Sequence, residues 1–200
     1  MEPESPPSPT ERALSHADTH DELVLASRAY CREAAREHDL DVDFSLVDWE
    51  VSTRAKRRSA AVKRRRIPDA EVGQSIDWTA VVERLGDPAV RRCTVSLTWD
   101  AYEAFDRAEW TATLRHELVH VEQFQRFGTT DHGSRFEERA ERVGASVRCR
   151  PFADPKYVLT CAECGTVLGR RYRECKLVRN PGDYRSSCCG ADVACSEGDG

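Results

Sequence analysis

The stretch from Trp110 to Phe127 constrains this chain more than any other. Trp110, Leu114, Leu118, Val121 and Phe124 recur at helical spacing, so the segment predicts a helix with a broad apolar face that must pack against other elements. His116 and His120 are four residues apart in that helix and project from the same face, one turn apart. Gly128 is well placed to end it.

Two imidazoles at this spacing can reach one zinc ion at about 2.0–2.1 Å. Glu117 sits beside them, so His116-Glu117-Leu118-Val119-His120 has the HExxH pattern of metallopeptidases. Zinc there lowers the pKa of water towards about 7, and Glu117 is the expected base that takes its proton and passes it to the leaving amine. A catalytic zinc needs a third protein ligand and one open position. His132 is the leading candidate, since it follows the turn Gly128-Thr129-Thr130-Asp131 and precedes the next helix. Glu137, Glu138 and Glu141 on that helix are the alternatives. Tyr102 and Tyr157 are conceivable oxyanion donors, but nothing singles either out.

Around this helix the pattern alternates between strand and helix. Thr19 or Asp21 caps a helix that runs to about His38. Val42, Phe44 and Leu46 alternate with polar residues, and the phase then switches to Val47, Trp49 and Val51, which predicts a strand bent near Leu46. Further strands are expected over 60–67 and 92–99, with a short helix over 79–85 between them. Asp100 is the expected N-cap of helical sequence that breaks near Asp106 and continues to Phe127, and a last helix spans 133–143. The class is α+β, a small sheet packed on helices. Four regions are expected: a disordered, proline-rich segment over 1–19, the main domain over 20–150, a cysteine-rich module over 151–195 and an acidic tail over 196–200.

Cys31, Cys93 and Cys149 lie among apolar neighbours and read as small core residues. The module differs. Cys161-Ala162-Glu163-Cys164-Gly165 is a zinc knuckle, two thiols on a tight turn eased by glycine. A matching second knuckle ending at Cys189 would begin at 186, which is Ser186. The expected ligands of a structural zinc are therefore Cys161, Cys164 and Cys189, with Cys188 or Cys175 as the fourth.

The net charge of −5 conceals a run without acids, from Arg54 to Arg66, that includes Arg57, Arg58, Arg64, Arg65 and Arg66. With Arg170 and Arg171 in the module, it offers cations for nucleic-acid phosphates, or else a solvated face. Trp49 and Trp78 could stack on bases. The start of the chain lacks the basic and apolar regions of a secretory signal, and no apolar run approaches the roughly 20 residues that span a bilayer. A cytoplasmic protein with no membrane contact is the expectation; the sequence says nothing of its oligomeric state.

Three features together resemble the SprT family of zinc metallopeptidases: Leu114-Arg115-His116-Glu117-Leu118-Val119-His120, then His132-Gly133-Ser134-Arg135-Phe136, then the cysteine ribbon. The resemblance implies a zincin-like domain with zinc held by His116, His120 and His132, Glu117 as the base, and a C-terminal zinc ribbon. It also implies protein substrates associated with or crosslinked to DNA, without base-specific recognition. The contrasting expectation is a nucleic-acid-binding zinc protein whose histidine site is structural or vestigial.

Overall fold

Thr19 opens the first long helix. Its hydroxyl accepts the Glu22 N–H while the Glu22 carboxylate accepts the Thr19 N–H, a reciprocal cap that satisfies two orphan donors. The structure is a computed structural model that describes residues 8–147 and 151–198. It is mixed α+β and divides into two units, Met1–Arg150 and Pro151–Gly200.

The first unit begins with α1 (Pro9–Leu14), where the sequence led us to expect disorder. Ser8 and Glu11 form a capping box, Leu14 is buried, and the Tyr102 hydroxyl donates to the Leu14 carbonyl at 2.6 Å. The Tyr102 anchor comes from a distant residue, which composition does not reveal. Next is α2 (His20–Glu37), which buries Leu23, Ala26, Tyr30, Cys31, Ala34 and Ala35.

Residues 42–46 are not a strand. Asp43 caps a 3-10 turn over Phe44–Leu46, and its backbone is held in both directions by the Gln125 side chain at 2.8 and 2.9 Å. The strand β1 starts only at Val47 (Val47–Ser52), so the phase switch marks an element boundary rather than a bulge. After β2 (Ala60–Arg64) and α3 (Trp78–Leu85) comes β3 (Cys93–Thr98). The sheet order is β1-β3-β2, with β1 parallel and β2 antiparallel to β3. β2 is therefore an edge strand.

Thr98, not Asp100, precedes α4 (Trp99–Ala104); Asp100 lies in its first turn. The expected break follows, and Asp106 caps α5 (Arg107–Phe127), which ends at Gly128 with φ 71°. Leu114, Leu118, Val119, Val121 and Phe124 of α5 are fully buried, so this helix is the unit's axis. α6 (Ser134–Arg142) closes the unit, burying Phe136 and Ala140. Cys31 and Cys93 are core residues, as expected, and burial pushes both thiols up; Cys149 lies outside the described residues.

The second unit is a three-stranded antiparallel sheet, order β5-β4-β6, from β4 (Tyr157–Cys161), β5 (Val167–Arg171) and β6 (Val193–Glu197). A short α7 (Lys176–Arg179) lies between β5 and β6. No helix among the described residues is long and apolar enough to cross a membrane.

Candidate metal centres

The helical period brings His116 and His120 together on α5, and the turn after Gly128 returns His132 to them. The three Nε2 atoms form a triangle with sides of 3.2, 3.1 and 3.3 Å. A tetrahedral zinc with bonds of about 2.0–2.1 Å separates its nitrogen ligands by about 3.3–3.4 Å, so the triangle suits such an ion. The alternative glutamates, Glu137, Glu138 and Glu141, are exposed on α6 and outside the cluster.

The other ring nitrogens of His116 and His120 fix how these two present themselves. His116 Nδ1 lies 2.7 Å from the Ser146 carbonyl, so it carries the proton and leaves Nε2 as a lone-pair donor. His120 Nδ1 faces Gln123 Oε1 at 3.3 Å, with the same consequence. Gln123 also reaches the His132 loop: its Oε1 accepts the Asp131 N–H and its Nε2 donates to Asp131 Oδ1, both at 3.4 Å. Asp131 Oδ1 in turn accepts the Gly133 N–H at 3.1 Å. Behind the triangle stands the buried Phe136 ring, 4.8 Å from His116, 4.4 Å from His120 and 4.7 Å from His132.

Burial, then the neighbouring rings, hold His120 down to about 3; burial likewise lowers His116. Both are therefore neutral near pH 7, the form that binds metal. Burial pushes the Glu117 carboxyl up to about 8, against the opposing pull of the Val62 backbone N–H and the Arg58 guanidinium. A cation among the histidines favours the carboxylate.

These groups open on a cleft of about 570 Å³, lined by residues 57–62 as well as Thr130 and Val147. The Thr98 N–H donates to the Ser59 carbonyl, so Ala61 and Lys63 turn their backbone groups towards β3. Those of Ala60 and Val62 face the free edge, towards the cleft. Tyr102 spends its hydroxyl on Leu14 and Ala17 and does not line this cleft; Tyr157 belongs to the second unit.

In the second unit, Cys161, Cys164, Cys188 and Cys189 bring their Sγ atoms within 4.8 Å of one another, and Cys175 is not among them. A tetrahedral zinc with bonds of about 2.3 Å sets thiolates about 3.8 Å apart, so the cluster suits a closed four-thiolate site. Two turns build it the same way. Gly165 N–H donates to the Cys161 carbonyl and Gly190 N–H to the Ser186 carbonyl, each at 3.0 Å, with φ of 70° and 67° at the glycines. Ser186 thus occupies in the second turn the place that Cys161 occupies in the first. Its buried hydroxyl lies 3.2 Å from Cys161 Sγ, and Cys188 supplies the extra thiol. Hydrogen bonds hold the Cys161 and Cys164 thiols below their ordinary range, chiefly from the Cys164 backbone and the Thr166 side chain respectively.

The match to a family model is decisive: residues 30–157 fit that of the SprT-like family. The chain belongs to the SprT-like family. The match spans the histidine site and stops before Cys161, so it covers less of the chain than the sequence motifs suggested. No curated protein and no solved structure matches the chain.

Within this SprT-like unit half of the basic run is committed to neighbours. Lys56 pairs with Asp100, Lys63 with Glu50, and Arg65 with Asp87 at 2.9 Å. Arg64 is half-buried; its guanidinium donates to Thr129 Oγ1 at 3.3 Å and to Thr130 Oγ1 at 3.1 Å. That makes Arg64 a brace for the His132 loop. Arg57 and Arg58 line the cleft, and Arg66 is exposed. In the other unit Arg170 is exposed and Arg171 half-buried. Trp78 donates to the Gln125 carbonyl at 2.7 Å and packs on Phe124, a structural role. Gln123 and Phe136 were missed as site residues; the only sequence signal for Gln123 is an amide set within the apolar face of α5.

Proposed function

We propose that this SprT-like protein is a zinc-dependent metalloendopeptidase, with His116, His120 and His132 as ligands of a catalytic zinc and Glu117 as the base. The observation that carries the reading is the triangle of imidazoles with Glu117 beside it, all opening on a cleft walled by an edge strand. When bound, zinc supplies Lewis-acid polarisation of a carbonyl and makes water acidic enough to ionise near neutral pH. The outward backbone groups of Ala60 and the Val62 carbonyl offer an extended substrate a strand to pair with. Glu117 takes a proton from the attacking water onto its carboxylate and returns it to the leaving amine. Cys161, Cys164, Cys188 and Cys189 hold a second zinc that only stabilises the small unit.

We further propose that the substrates are proteins on DNA, including crosslinked ones. Support comes from cations that make no ion pair among the described residues, Arg66, Arg170 and Arg171, which suit non-specific phosphate contact.

Replacing Glu117 with Gln tests the proposal. The variant should keep both zincs and lose roughly 10²–10⁴-fold in cleavage of a denatured protein, with or without DNA. Equal turnover by wild type and Glu117→Gln would sink the catalytic reading and leave a nucleic-acid-binding zinc protein.

A further inference from the structure

The loop before β2 places two cations beside the histidine site. Arg57 and Arg58 are exposed, make no ion pair among the described residues, and line the cleft that holds His116, Glu117, His120 and His132. Their neighbours in the run, Lys56, Lys63, Arg64 and Arg65, are all bonded to other parts of the unit.

The placement of Arg58 is built rather than incidental. Its carbonyl accepts the Thr98 hydroxyl at 2.7 Å, and the next carbonyl, that of Ser59, accepts the Thr98 N–H at 3.0 Å. Ser59 and Thr98 are each 2% exposed, so this junction is a buried clasp from which the Arg58 side chain projects. Among the described residues Glu117 is the only carboxylate lining the cleft, and it lies buried at 5% exposure. The solvent-facing lining is therefore positive.

The Glu117 carboxyl meets the strand at the Val62 N–H. Arg58 precedes that point by four residues and Arg57 by five, in the bend that leads into β2, and the Arg58 guanidinium is near enough to pull the Glu117 carboxyl down. An extended chain paired with the free edge of β2 passes both guanidiniums within about four residues of the atom Glu117 serves. A phosphate backbone has no N–H and C=O ladder to match that edge.

We propose that Arg57 and Arg58 select polypeptide substrates that carry acidic side chains within about four residues of the scissile bond. The proposal rests on the peptidase reading, and its test is made separable from it by measuring binding rather than turnover. Two labelled peptides of one length and sequence, differing only in four Glu or four Lys at the flanking positions, are titrated onto zinc-loaded Glu117→Gln protein by fluorescence anisotropy.

At low salt the Glu peptide should bind on the order of tenfold more tightly, the sum of two partly exposed ion pairs, and the advantage should shrink at higher salt. Arg57→Glu with Arg58→Glu in the same background should reverse the order. Arg57→Gln with Arg58→Gln should abolish it while zinc content and thermal unfolding stay as in the parent, which guards against misfolding. Equal affinity for the two peptides, or a preference that survives charge reversal, overturns the proposal. So does loss of single-stranded oligonucleotide binding on charge reversal with no peptide discrimination, which would assign the arginines to nucleic acid. Cleavage of either peptide by wild type, against none by Glu117→Gln, scores the peptidase reading on its own.

Discussion

Leucine at position 123 should weaken zinc binding by the histidine site about tenfold, close to 1.4 kcal/mol. Gln123 accepts from His120 Nδ1 at 3.3 Å and is tied to Asp131 by two contacts of 3.4 Å. Loss of such a partner costs about 10–100-fold in metal affinity. These contacts are at the long end of the hydrogen-bond range, which argues for the lower figure. Leucine fills nearly the same volume, so packing around a side chain only 5% exposed is kept. What changes is that His120 Nδ1 has no acceptor, and Nε2 is no longer held as the lone-pair donor. Asp131 is exposed, so water can replace its lost contacts. The assay is competition with a chromophoric zinc chelator, followed for both sites; the thiolate site, in a separate unit, is the internal control. Gln123→Glu keeps an acceptor for His120 and should recover part of the loss. Affinity of Gln123→Leu within twofold of wild type would refute the reasoning.

Phe136→Ala should destabilise the metal-free protein by about 3–5 kcal/mol, because a fully buried ring that touches all three histidines is removed; a loss under about 1 kcal/mol in denaturant unfolding would contradict this. Cys188→Ser should lower the zinc content from about two per chain to about one, whereas Cys175→Ser should leave it unchanged, since only Cys188 joins the thiol cluster. The reverse result by mass spectrometry would move the fourth ligand to Cys175. The metal-free protein should also be acid-sensitive. His120 is held down to about 3 and His116 is lowered, while the unfolded chain takes up these protons below about 6.5. The unfolded state binds more histidine protons in that window, so their contribution is lost as pH drops towards 3. Glu117, pushed up to about 8, works the other way, offsetting one histidine down to about 4.5 and costing stability as pH rises towards 8. The expected slope is on the order of 1 kcal/mol per pH unit for each histidine, read from denaturant midpoints. A flat profile would contradict it.

What could be read from sequence followed from short-range regularity. The helix period set His116, Glu117 and His120 together, and the loop position of His132 pointed back to them. The CxxCG turn announced the thiol cluster, and Ser186 was recognisable as a departure, though not as the structural counterpart of Cys161. Long-range pairing was hidden. β1 begins at Val47 because Gln125, some eighty positions away, holds Asp43 in a turn. α1 orders against Tyr102. The basic run offered cations for phosphates or a solvated face, and the sequence could not show that four of its members are engaged by Asp100, Glu50, Asp87 and Thr130, none of them adjacent in the chain.

Arg64 joins two parts that a peptidase needs to tune separately. It belongs to the strand whose edge forms the cleft wall, and its guanidinium grips the loop that carries His132. A shift of that strand to accommodate a different chain is therefore transmitted to one of the three imidazoles. Variation in what the cleft accepts is mechanically coupled to the placing of His132, and side chains of the strand can change without loosening that brace only on the Arg57–Val62 side of residue 64.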